Sequence, residues 1–183
     1  MKLVFMLEEP SMKEVLNVLL PKLLPAEIAF HCIAHSGKSD LEKSLPRKLR
    51  GWNDPDVRFF VLRDQDDLDC KIVKDQLRKI CDDAGRPDAI IRIVCHELES
   101  WFLADLAAVE LATGITNLAK KQNTVTYRAP DSKSKPSILM KQLVPGYQKV
   151  SGARAIAPHL DLGNTRSPSF SALVGAISKI CQS

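Results

Sequence analysis

Two apolar runs in this chain end abruptly in acid. Val57-Arg58-Phe59-Phe60-Val61-Leu62 leads into Arg63-Asp64-Gln65-Asp66-Asp67-Leu68-Asp69, and Leu3-Val4-Phe5-Met6-Leu7 leads into Glu8-Glu9. A third run, Ala89-Ile90-Ile91-Arg92-Ile93-Val94-Cys95, leads into His96-Glu97-Leu98-Glu99. Carboxylates crowded at the ends of buried strands repel one another and lose hydration, so they need a counter-charge to ionise. A divalent cation supplies one, and hard oxygen ligands suit Mg2+ or Mn2+. Asp64 and Asp66, two residues apart, can aim at one cation as the chain turns. The competing reading is capping: Asp66 or Asp67 can cap a helix opening at Leu68, and Asp67 and Asp69 read as cap or first-turn acids.

The elements around these acids must carry them to one place. Residues 2–7 read as a strand, followed by a mostly buried helix that Ser11 and Glu14 open as a capping box and Pro21 bends or ends. Residues 27–34 read as the second strand. A short helix capped by Ser39 or Asp40 and interrupted by Pro46 follows, then a third strand over 57–62. Helical spacing covers 68–84, with Gly85 and Pro87 ending it. A fourth strand over 89–95 runs into a helix reaching about residue 112. Helices are expected near 137–143 and 153–160, and a clearer one is capped by Ser167 with Pro168 in its first turn. Apolar strands alternating with helices predict an α/β fold, a parallel sheet of about four strands covered on both faces. Ligands bind such sheets at the carboxyl ends of the strands, where Glu8, Asp64, Asp66, Glu97 and Glu99 all fall.

At 183 residues the chain fits one domain, or one domain with a helical appendage. Residues 1–116 carry 16 basic and 20 acidic side chains, whereas 117–183 carry 10 basic and only Asp131 and Asp161 as acids. Residues 1–114 therefore read as a metal-binding body and 115–183 as a basic helical extension packing on the same core. An acidic half beside a basic half suits a polyanion such as nucleic acid, with the basic 117–154 region tracking the backbone. Five cysteines, odd in number and without a CxxC pair, read as reduced core thiols and predict a cytoplasmic address. No apolar stretch approaches the roughly 20 residues that span a bilayer.

A glutamate after a first strand and a later strand ending in DxD resemble the Toprim domain of topoisomerases, bacterial primases and overcoming-lysogenization-defect-type nucleases. The resemblance covers roughly residues 2–112. Leu7-Glu8-Glu9-Pro10-Ser11, Leu62-Arg63-Asp64-Gln65-Asp66-Asp67, His96-Glu97-Leu98-Glu99-Ser100-Trp101-Phe102 and Ser167-Pro168-Ser169-Phe170 resemble more closely the bacterial domain-of-unknown-function family 4276, Toprim-like proteins often encoded beside an AAA-type ATPase. Where Toprim domains usually place glycine after the glutamate, Glu9-Pro10 stands here. The resemblance implies a Mg2+-dependent nuclease acting on DNA or RNA. It further implies an ATPase partner and a role in anti-phage or foreign-DNA defence. Glu8, Asp64 and Asp66 would hold metal, with Glu99, or its rival Glu97, serving a second metal or positioning water.

Other motifs carry less. His96-Glu97-Leu98-Glu99-Ser100 has serine where a zinc-protease helix needs its second histidine, which excludes that chemistry. Trp101 and Phe102 read as core. Gly37-Lys38-Ser39 imitates the end of a P-loop, but Cys32 stands where its first glycine belongs. His31 and Cys32 face opposite sides of a strand, so His31, Cys32 and His35 do not make a zinc site. Arg63, Lys133 or Lys135 can neutralise charge developing on a phosphate, and Lys135 is taken as the catalytic candidate. Two rivals stand beside the nuclease: a non-catalytic regulatory subunit of an ATPase complex, and a small nucleotide-binding enzyme using Gly37-Lys38-Ser39.

Overall fold

The computed structural model describes residues 1–182. Four strands, β1 (Lys2–Leu7), β2 (Ala29–Ala34), β3 (Val57–Asp64) and β4 (Ile90–Val94), form one all-parallel sheet in the order β2-β1-β3-β4. Helices cover both faces, an α/β architecture consistent with a Toprim-like fold. The central strands β1 and β3 are apolar almost throughout because both of their faces meet helices.

One face packs on α2 (Lys38–Arg50) and α3 (Cys70–Asp83), whose rows Leu41/Leu45/Leu49 and Val73/Leu77/Cys81 meet Val4, Met6, Phe59 and Val61. The other face packs on α1 (Pro10–Leu23), α4 (Glu99–Leu103), α5 (Leu106–Thr113), α6 (Pro136–Leu143), α7 (Lys149–Ile156) and α8 (Pro168–Cys181). There Phe5 and Phe60 stack with centroids 4.7 Å apart. Met140, Tyr147, Ile156, Phe170 and Leu173 join that same cluster, so the chain after residue 114 completes the core under the sheet. Trp101 and Phe102 are buried in it, and the Trp101 indole N–H donates to Ser169 Oγ at 3.0 Å. Among the described residues no helix is long and apolar enough to cross a membrane.

Several boundaries differ from the sequence expectations, each for a local reason. The cap of α1 is Glu9 rather than Ser11. Ser11 lies inside the helix and donates to the Glu9 carboxylate, while Arg154 takes Glu14 in two bonds of 2.8 and 2.9 Å. Pro46 does not interrupt α2, since the apolar row on either side of it holds the helix to the sheet. The third helix starts at Cys70, because the Asp69 carboxylate accepts from Lys71 N and Ile72 N and fixes its first turn. Leu68 and Ile72 are consequently exposed instead of core. The helix expected up to residue 112 breaks into α4 and α5 where Asp105 caps the second, accepting from Ala108 N. The helix expected at 153–160 begins four residues earlier, at Lys149, and gives way to a 3-10 turn over Ala157–His159.

Candidate metal and nucleic-acid site

The strand order places a topological switch point between β1 and β3. From β1 the chain moves outward to β2, then crosses back to β3 on the other side, leaving a crevice at their carboxyl ends. Glu8 follows β1 and Asp64 ends β3. The pleat gives them opposite starting directions: Glu8 continues the Val4/Met6 row and Asp64 the Phe60/Leu62 row, on different faces of the sheet. They meet at the edge itself, where Glu8 Oε2 accepts from Asp64 N at 3.0 Å. Both are buried.

Asp66 sits two residues on, with φ 56°, a left-handed conformation that aspartate tolerates better than most residues. It is locked there by His96, which also has φ 56°. Asp66 N donates to His96 O at 2.9 Å, and His96 Nδ1–H donates back to Asp66 O at 2.9 Å. Clasped in this way, these two left-handed residues fix the turn that carries the DxD pair. The Asp66 carboxylate pairs with Lys38 at 3.0 Å. That pair takes up the lysine of the imitation P-loop, and Gly37 N donates to Glu8 O, so this turn scaffolds the acids. His35 does the same from beneath. Its Nδ1–H donates to Leu7 O and its Nε2 accepts from Lys48, each at 2.7 Å.

On the Asp64 side, Glu9, Glu99, Tyr147 and Lys149 converge with it. Glu99 is fully buried at the start of α4 and its Oε1 accepts from the Tyr147 hydroxyl at 3.2 Å. Lys149 Nζ pairs with Glu9 at 3.2 Å. Two oxygens here, Asp64 Oδ1 and Glu99 Oε2, are buried with no hydrogen-bond partner among the described residues. Burial, then Glu9 and Glu8, hold the Asp64 carboxyl well above the usual carboxylate range, with Lys149 opposing. Burial raises Glu99 too, again against Lys149. Glu8 is raised by burial and by its neighbours Asp66 and Glu9, with the Asp64 amide and Arg63 opposing. Burial alone would lower Lys149, but Glu99, Glu9 and Asp64 outweigh it and hold the ammonium above the usual lysine range.

Glu8, Asp64, Asp66 and Glu99 thus occupy one edge and one electrostatic field. Glu97 adds its charge to the field at Glu99, but its Oε2 is taken up by α6, accepting from Ser137 N at 2.6 Å and satisfying the first turn of that helix. Lys135 is exposed beside Lys133 on the wall of a shallow cavity, and no bond joins it to the acids among the described residues. Arg63, only 2% exposed, is tied to Glu42 at 2.7 Å and lies 3.9 Å from Glu8. The sequence reading missed Glu9, Tyr147, Lys149 and His96. Only Glu9 carried a signal, its adjacency to Glu8; Tyr147, in the α6–α7 connection, and Lys149, at the start of α7, are distant in sequence with nothing local to mark them.

The donor chemistry fits a hard divalent cation, since carboxylates surround two buried, unpartnered oxygens. Among the described residues no three His, Cys, Asp or Glu side chains are grouped closely enough to hold a metal ion as they stand. Lys38, Arg63 and Lys149 supply positive charge beside Asp66, Glu8 and Glu9.

Tyr147 owes its place to Gly152. A Cβ at residue 152 would lie 2.2 Å from Tyr147 Cε2. Gly152→Ala, normally favourable in a helix, is therefore expected to destabilise the protein by about 1–3 kcal/mol through overpacking. Urea unfolding tests this: a midpoint equal to or above wild type would show that the ring has room to move.

Compared with known families, residues 7–178 match the model described as Domain of unknown function (DUF4276). No curated protein and no solved structure matches the chain.

Proposed function

The chain belongs to the family Domain of unknown function (DUF4276), and from that premise we propose that it is a Toprim-type nuclease, hydrolysing phosphodiester bonds of DNA or RNA with Mg2+ or Mn2+. The observation that carries this reading is Asp64: a buried carboxylate with an unpartnered oxygen, at the end of a central strand, facing further carboxylates. Glu8, Asp64 and Asp66 would hold the cation, and Glu99 would orient water from the opposite side. When bound, the cation supplies Lewis acidity at the phosphoryl oxygen and a nucleophilic water at neutral pH. Lys149, which pairs with Glu9 beside the acids as Lys135 does not, would offset charge developing on the phosphate. An AAA-type ATPase partner, a cytoplasmic site of action and a role in anti-phage defence belong to the same proposal and rest on the family resemblance.

The test is cleavage of labelled DNA and RNA in manganese by wild type, Glu8→Ala and Asp66→Ala. Wild type should cut and the variants should not; equal rates in all three would overturn the assignment. A non-catalytic subunit of an ATPase complex is the second reading, favoured by the lack of a three-side-chain metal group among the described residues. It predicts that the protein, with or without a partner, cuts nothing in any divalent metal.

A further inference from the structure

Beside the acids, where α6 leads into α7, lies an open cavity of about 550 Å³. Its lining includes Lys141, Tyr147, Lys149, Ser151 and Arg154, and no acidic side chain. The start of α7 forms part of that wall. Its N-cap, Gln148, makes no side-chain capping bond, and among the described residues no hydrogen bond takes up the first-turn amides, which helix geometry turns toward an anion. Behind the wall, Tyr147 and Lys149 reach into the carboxylate cluster, where the unpartnered oxygens of Glu99 and Asp64 lie. The same two residues therefore line both the cavity and the acid cluster.

The cations of this wall differ in how firmly they are held. Lys141 is exposed and makes no ion pair among the described residues. Arg154 pairs with Glu14, but its side chain is 66% exposed, and a pair so placed yields readily to a phosphate. A bare carboxylate ligand would suit the cavity less well than a chain of phosphodiesters. One phosphate of such a chain can sit against the α7 amides while its neighbour lies beside the carboxylates.

We propose that this cavity seats the backbone of a single nucleic-acid strand, with Lys141, Arg154 and the first turn of α7 holding the phosphate next to the one at the acid cluster. This rests on the nuclease reading and deepens it by naming where the substrate lies. It also narrows the expected backbone contact from the whole 117–154 region to one wall.

The test is fluorescence anisotropy with labelled single-stranded DNA and RNA of one sequence, in EDTA so that nothing is cut. Lys141→Ala should reduce the slope of log affinity against log salt by about 0.7, and Lys141→Ala with Arg154→Ala by about 1.4, for one and two lost phosphate contacts on a single strand. Affinity should fall with either sugar. Lys141→Ala touches no ion pair, so it remains informative if the double variant unfolds. Lys74→Ala with Lys79→Ala, on exposed positions of α3, should leave the slope unchanged. No binding by wild type, an unchanged slope in Lys141→Ala, or an equal loss in the α3 variant would each overturn the proposal. Binding with the expected slopes but no cleavage in manganese would sink the nuclease reading and leave this one standing.

Discussion

Asp64→Asn is expected to abolish metal-dependent cleavage and at the same time make the metal-free protein more stable at pH 8. The first effect follows from losing an anionic ligand: several kcal/mol of transition-state stabilisation corresponds to about a 10³-fold drop in rate. The second follows from burial. The folded chain holds the Asp64 proton more tightly than the unfolded chain does, because burial and the neighbouring Glu9 and Glu8 raise its carboxyl well above the ordinary range. Stabilisation by the protonated form is thus complete below the unfolded carboxylate value and is lost as pH rises through the folded one. Glu8 and Glu99 are shifted in the same direction and add to the loss. Asparagine copies the neutral carboxyl, so the variant should lose less stability than wild type between pH 5 and pH 8.

Manganese should act in the opposite sense. At about 100 times its dissociation constant a ligand adds about 2.7 kcal/mol. In a protein of this size that raises Tm by roughly 5–10 °C. Wild type should show that rise at pH 8, less of it at pH 5, and Asp64→Asn almost none. Thermal melts with and without manganese decide the matter, and an equal rise in wild type and Asp64→Asn would remove Asp64 from the metal site.

Much of this arrangement is legible in the sequence because it is local. The strands β1 and β3 announce themselves as apolar runs buried on both faces, and the acids mark where each run meets the crevice. The alternation of strands and helices then fixes a parallel sheet, and a parallel sheet fixes which ends carry a ligand. What is not legible is long-range. Helical spacing counted Leu68 and Ile72 into a core face, but the Asp69 cap sets the phase of α3 and turns both outward. Glu97 and Glu99 are equivalent on paper. Only the placement of α6 and of Tyr147 assigns one to a helix cap and the other to the acid cluster. Lys149 illustrates the limit most clearly. It lies 140 positions from Glu9, and its role depends on α7 packing along α1, where Lys149–Glu9 and Arg154–Glu14 join the two helices.

That packing leads to a second expectation with a large effect. Lys149→Met keeps the aliphatic length but strips the carboxylates of the cation that opposes their burial. Removing one partner from a buried pair costs about 3–5 kcal/mol. The Lys149 side chain is 40% exposed, and solvent screening reduces the expected loss to about 1–2 kcal/mol. The lysine itself is charged throughout the range of interest: its stabilisation is fully present below the ordinary lysine value and is lost only as pH rises through its elevated folded value. The pH dependence of the variant must therefore come from the acids. Without Lys149, Asp64 and Glu99 become harder still to ionise, so the loss should be greatest at pH 8 and small at pH 5, where protonation relieves the repulsion. Added manganese should restore at pH 8 what the missing ammonium removed, because both cations answer the same carboxylates. Urea unfolding at the two pH values, with and without manganese, separates this from mere packing. A loss that is equal at pH 5 and pH 8 and indifferent to manganese would mean that Lys149 only fills space between α7 and α1.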